Sequence, residues 1–143
     1  MAIGKTRTHR AAVDTGALLA IASTHDQYHQ RALAIEERFR RSGGRWICTT
    51  LVLGELHGHL LHRAGRGVAR RVLAGLLADP AFEWRDASLD LVEEARRDWI
   101  DRFDDQGFSL TDAVTFALMK QERIERAFAF DRDFVTAGFE LME

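Results

Sequence analysis

The sequence holds one cysteine (Cys48), one proline (Pro80) and two lysines (Lys5 and Lys120) among its 143 residues. A single cysteine excludes an intrachain disulfide framework and agrees with a reducing compartment. Its neighbours Trp46 and Ile47 mark it as a packed strand residue. No apolar run is long enough and free enough of charge to predict a membrane span. The amino end, "MAIGKTRTHR", is basic but lacks the apolar block of a secretory signal. These absences lead us to expect a cytoplasmic chain with no membrane association. Also missing are a P-loop, a dinucleotide-binding glycine pattern and a G-x-S-x-G nucleophile motif.

What is present suits one compact domain spanning 1–143, since 46% of the residues are hydrophobic and the length allows a substantial core. Net charge is −2, so the chain as a whole is not a basic nucleic-acid binder. With only two lysines among 20 basic residues, the cations are nearly all arginine, gathered in "RFRRSGGR" (38–45) and "RAGRGVARR" (63–71). A guanidinium matches phosphate oxygens with a planar fork of donors. Solvated helix faces would look the same, and composition does not choose between them.

Short strand-like runs alternate with amphipathic helical ones. Residues 11–13 read as a strand and 15–22 as a helix. Ala32, Ile35 and Phe39 set a helical period over 27–41, ended by Gly43 and Gly44. "RWICTT" is a second strand, with Thr49 or Thr50 capping a helix over 51–64. Another helix follows Gly65 and runs to Ala78, and Pro80 then breaks the chain. "FEWRDA" reads as a peripheral third strand. "SLDLVEEARRDWIDRF" predicts one helix with Leu89, Val92, Ala95, Trp99 and Phe103 on a single face. "SLTDAVTFALMKQ" predicts another, "RAFAF" a fourth strand, and "FELM" a last short one. This order argues for an α/β fold with a central, mainly parallel sheet of four to five strands.

The run "AAVDTGALLAIA" places Asp14 where a strand enters the core. A lone buried charge is costly unless something pairs with it. Asp131 follows the apolar run "AFAF" in the same way, with Asp133 two residues on. Ligands of open parallel sheets bind beyond the carboxyl ends of the strands, so two distant strands deliver carboxylates to one edge. Asp112 opens the helix before the fourth strand, and Glu55 sits early in the helix after the second. Singly, Asp14 fits a helix cap, Ser109 and Asp112 fit a capping box, and Asp131 fits a turn cap. Glu55 is too deep in its helix for that role. Gathered together, four carboxylates would repel one another unless a cation held them. Oxygen-only donors suit magnesium or manganese.

"VDTGALLAIA", "CTTLVLGEL", "LTDAVTFALM" and "AFAFDRDF…GFELM", in this order and over nearly the whole chain, resemble the PIN-domain ribonucleases and, within them, the VapC-type toxins of toxin–antitoxin pairs. The resemblance implies a three-layer α/β/α fold, a homodimer, an antitoxin protein partner, and endoribonuclease activity dependent on Mg²⁺ (or Mn²⁺). Asp14, Glu55, Asp112 and Asp131 match the family's catalytic acids. Of these, Asp14, Asp112 and Asp131 match metal ligands, with Asp133 as an alternative to Asp131. Glu55 matches the acid that orients water or holds a second ion. Thr15 and Thr111 stand beside their aspartates as supporting hydroxyls. Arg41, Arg45, Arg70 and Arg71 are candidates to grip RNA phosphates.

Rival constellations are weaker. His25 and His29, and His57, His59 and His62, have helical spacings that can bind zinc, but neither stretch forms His-Glu-x-x-His. His59, one turn after Glu55, can reach the acids. A receiver-like or haloacid-dehalogenase-like phosphoryl-transfer domain would also put an aspartate after its first strand. It would need a second adjacent acid and a late lysine, and Lys120 falls within a helix. A non-catalytic protein-binding scaffold has no use for four acids.

Overall fold

The structure is a computed structural model that describes residues 9–143; the basic stretch before His9, with Lys5, lies outside the described residues. Five strands, β1 (Arg10–Val13), β2 (Arg45–Thr49), β3 (Phe82–Arg85), β4 (Arg126–Phe128) and β5 (Glu140–Leu141), pair in the order β3-β2-β1-β4-β5. Every pairing is parallel. Past the arginine that opens each of them, the inner strands are mostly apolar because helices cover both faces of such a sheet. Side chains alternate between the two sides. Ala11, Val13, Trp46, Cys48 and Phe128 enter one core, while Ala12, Ile47 and Ala127 enter the other.

The first core is closed by α1 (Thr15–Ala22), α2 (His29–Arg41), α3 (Thr50–Ala64) and α4 (Arg66–Ala78), through residues such as Leu18, Phe39, Leu56 and Ala69. The second is closed by α5 (Leu89–Ala95), α6 (Leu110–Glu122) and the one-turn α7 (Asp133–Thr136), through Leu91, Phe116 and Phe134. The result is the expected α/β/α layering with a mainly parallel, here wholly parallel, sheet of five strands. Aromatic contacts tie helix to sheet and strand to strand: Trp46 lies 4.1 Å from Phe39, tilted, and 5.1 Å from Phe128, stacked, centroid to centroid.

Strand order fixes where the two key edges meet. From β1 the chain builds outward through β2 and β3, then crosses to the other side of β1 for β4 and β5. The order therefore reverses between β1 and β4, the place where open α/β sheets leave a crevice at their carboxyl ends. Val13 pairs with Phe128, and the Asp14 N–H donates to the Phe128 carbonyl at 3.0 Å. Asp14 and the segment after Phe128 thus leave the sheet side by side.

Three local expectations differ. The helix over 88–103 is not uniform: α5 passes into a π-helical turn over Arg96–Asp101. Leu89 is 86% exposed; Leu91, Ala95 and Trp99 are buried in the core, and Val92 and Phe103 pack against it partly buried, as expected. Leu89 is the first helical residue, and its side chain projects back past the Ser88 cap rather than onto the sheet. The second helix begins at His29, not 27, because the Tyr28 N–H donates to Asp26 Oδ1 at 2.8 Å in a turn that competes with helix. Finally, the segment between β4 and β5 contains α7 where a turn was expected.

Candidate active site

The carboxyl edge of the sheet opens into a cavity of about 570 Å³ whose lining includes Asp14, Thr15, Glu55, His59, Ser109, Asp112 and Asp131. Four elements deliver the acids. Asp14 ends β1 at the N-cap position of α1, yet its side chain makes no capping hydrogen bond. Asp112 is the third residue of α6, whose Ser109 cap accepts the Asp112 N–H at 3.1 Å. No bond from the Ser109 N–H back to the Asp112 carboxyl is present among the described residues, and that carboxyl lies close enough to Asp14 to be raised by it. Glu55 is six residues into α3, which Thr49 caps by accepting the Val52 N–H at 3.4 Å. Asp131 follows β4, and its Oδ1 accepts the Asp133 N–H at 2.9 Å. Asp112, Asp131 and Asp133 each bring one oxygen within 4.8 Å of the others.

Electrostatics at this edge are strained. Asp14 is 8% exposed. Burial pushes its carboxyl above the usual carboxylate range; the Thr15 N–H and the Asp112 carboxyl partly offset this, while the charges of Asp131 and Glu55 add to it. Burial also raises Asp112, and the neighbouring Asp14 charge and the hydrogen bond to Asp14 raise it further. Asp14 thus helps to hold Asp112 above the ordinary carboxylate range, as close like charges do. Asp133 is also raised, by desolvation first and by the Asp131 charge second.

The donor set fits a hard divalent cation. Every candidate ligand is a carboxylate oxygen, the kind such ions prefer. Thr15 Oγ1 is buried in the cavity lining without a hydrogen-bond partner, and buried hydroxyls rarely stay unpaired. A cation with its waters would supply both missing partners, the counter-charge for the acids and the acceptor or donor for Thr15. No histidine belongs to a comparable ligand group among the described residues. His29 turns its Nδ1 to the Ala20 carbonyl at 2.6 Å, which accounts for one predicted zinc-type spacing. Burial pushes the Cys48 thiol up, away from any nucleophilic role.

Of the remaining sequence candidates, Thr111 is absent from the cavity lining; its carbonyl accepts the Thr115 hydroxyl at 3.1 Å. Arg41 ends α2 and pairs with Glu37 at 2.8 Å, and Arg45 opens β2 and pairs with Glu83 at 2.9 Å. Both stand at the amino edge of the sheet, opposite the acids. Arg70 and Arg71 are exposed on α4 without an ion pair among the described residues. Lys120 is exposed on α6, away from the place a phosphoryl-transfer site would require. Asp26, Gln27, Tyr28 and Phe130 also line the cavity. Only Phe130 carried any signal in the sequence, its adjacency to Asp131.

The PIN domain family model matches residues 11–140. The 23S rRNA-specific endonuclease VapC20 of Mycobacterium tuberculosis, in two strains, is 33% identical over 128 residues, covering 89% of this chain and 93% of that protein. The crystal structure of VapC20, described as a Sarcin-Ricin loop cleaving toxin, superposes with a TM-score of 0.78 at 31% identity, covering 90% of this chain and 95% of that one. VapBC2 of Rickettsia felis, solved with a DNA fragment from its promoter, superposes with a TM-score of 0.62 at 14% identity, covering 92% and 96%. That last likeness is one of fold.

Proposed function

The chain belongs to the PIN-domain family, beside its VapC-type ribonuclease toxins, and on that premise we propose that its acid cavity hydrolyses RNA phosphodiester bonds with Mg²⁺ or Mn²⁺. The observation that carries this reading is the Asp14–Asp112 carboxyl pair. Two acids held close together, Asp14 buried and Asp112 half-buried, are a standing cost that a cation at the same place removes.

In this reading Asp14, Asp112 and Asp131 hold the cation, with Asp133 able to take the place of Asp131 or join it. When bound, the ion polarises a phosphoryl oxygen and eases deprotonation of the attacking water. Asp112, whose raised carboxyl favours its proton, gives that proton up when the cation is held. Glu55, across the cavity, orients the attacking water and accepts its proton on a carboxylate oxygen. The Thr15 hydroxyl steadies the Asp14 carboxylate or a coordinated oxygen. Arg70 and Arg71, which have no carboxylate partners among the described residues, are free to meet flanking phosphates.

VapC20 is a 23S rRNA-specific endonuclease, and ribosomal RNA is the substrate class to try first. We further propose a cytoplasmic homodimer restrained by an antitoxin protein; no described helix is long and apolar enough to cross a membrane. The test is cleavage of total ribosomal RNA by the purified chain with Mn²⁺, with EDTA, and with Asp112→Asn. Cleavage that needs the cation and fails in the variant supports the assignment. Cleavage that survives EDTA, or survives Asp112→Asn, removes it.

A further inference from the structure

One wall of the acid cavity is a pair of stacked rings that the carboxylates do not need. Tyr28 and Phe130 both line the cavity and are partly exposed. Their rings lie within 7° of parallel, with centroids 4.4 Å apart. Phe130 directly precedes Asp131, and its ring meets Phe128 of the core edge-on at 6.0 Å. Tyr28 is held at the main chain, where its N–H donates to Asp26 Oδ1 and its carbonyl accepts the Ala32 N–H, each at 2.8 Å. The pair is therefore fixed from both ends before any ligand arrives. Tyr28 has no other aromatic neighbour among the described residues, and its hydroxyl makes no hydrogen bond among them.

Arg31 completes the arrangement. Its guanidinium carbon lies 5.7 Å from the Tyr28 centroid and 5.3 Å from that of Phe130. Near-equal distances to two parallel rings put the cation alongside the stack, at its rim, and leave the outer face of Tyr28 clear of it. Arg31 is exposed and has no ion pair among the described residues.

An acidic cavity repels a polyanion, so a substrate strand needs uncharged affinity close to the acids. The base is the uncharged part of a nucleotide, and aromatic faces hold bases irrespective of sequence. We propose that Tyr28 and Phe130, with Arg31 at their rim, form a nucleobase subsite: an unpaired base stacks on the rings while Arg31 meets that nucleotide's phosphate. The subsite rests on the ribonuclease reading above and narrows its substrate to RNA unpaired at this nucleotide, because a base inside a duplex has no free face.

Binding tests it apart from cleavage. In the silenced Asp112→Asn chain, a labelled octaribonucleotide of mixed sequence is compared with the same ribose-phosphate strand lacking its bases. The base-bearing strand should bind roughly ten-fold more tightly. Tyr28→Leu should abolish that preference, Tyr28→Phe should retain it, and Arg31→Gln should weaken both strands alike. No preference in the Asp112→Asn chain, or an equal loss on both strands in Tyr28→Leu, overturns the subsite. Base preference in a chain that never cleaves RNA would sink the nuclease reading and leave the subsite standing. Cleavage with Tyr28→Leu indistinguishable from the parent would do the reverse.

Discussion

Replacing Asp14 by asparagine separates stability from activity. The substitution keeps the shape and removes a buried carboxyl whose ionised form is disfavoured. In EDTA the variant should be more stable than the parent, by roughly 1–3 kcal/mol, and it should lose RNA cleavage by roughly a hundred-fold or more. Thermal melts beside a cleavage assay check both, and a variant less stable than the parent would contradict the strained pair. The same pair sets a pH dependence. Asp14 and Asp112 have folded pKa values above the ordinary carboxylate range, so above that range the folded chain binds more protons than the unfolded one. Metal-free stability should therefore fall as pH rises from about 5 to about 8, the sign linkage requires. Saturating Mn²⁺ should flatten or reverse the trend. Asp79, held low first by Arg40, works in the opposite sense, but only as pH falls below the usual carboxylate values. A metal-free melting temperature that climbs between pH 5 and 8 would refute the assignment.

At the scale of elements, turns and caps place the acids, and they tolerate little change. The turn between α2 and β2 passes Gly44, where an added Cβ would come within 2.4 Å of the Phe39 ring. That ring is buried against Trp46 and cannot retreat far. Gly44→Ala should cost about 1–3 kcal/mol, as overpacking does, measured by urea unfolding; an unchanged midpoint would contradict the packing described. The long, periodic helices and the apolar strands were legible because burial on both sheet faces leaves a continuous pattern. Asp14, Asp112 and Asp131 were legible because each interrupts that pattern at a strand or helix end, and Glu55 because it lies too deep in its helix to be a cap. The π turn around Trp99 was not, since nothing in "RRDWID" distinguishes it from an ordinary helix. Tyr28 and Asp26 were missed because a turn, not a period, brings them to the cavity.

Across the whole molecule, charge is sorted by position rather than by total. Arg45 and Arg85 bind Glu83, and Arg85 with Arg10 binds Glu122, in a network that joins the starts of β1 and β2 to β3 and to the end of α6. Sequence alone grouped Arg45 with Arg70 and Arg71, because cross-strand partners are set by register, which no run of arginines reveals. RNA affinity should follow the distinction. Arg70→Ala and Arg71→Ala should each reduce the salt slope of binding by roughly 0.7, the contribution of one phosphate contact on a single strand. Arg45→Ala should leave the slope alone and lower stability; a slope that falls for Arg45→Ala would show that the network is open to RNA. Sedimentation at micromolar concentration should give twice the 16.2 kDa chain mass if the proposed dimer forms, and a single chain mass would remove it.

The central claim is that Asp14 and Asp112 stand together, both raised above the ordinary carboxylate range, because their place belongs to a cation. Titration calorimetry with Mn²⁺ at pH 7, in two buffers of different ionisation enthalpy, tests it most directly. The predicted result is binding by the parent with release of about one proton per ion, and loss of that release in Asp14→Asn. Binding without proton release, or no binding by the parent, would contradict it.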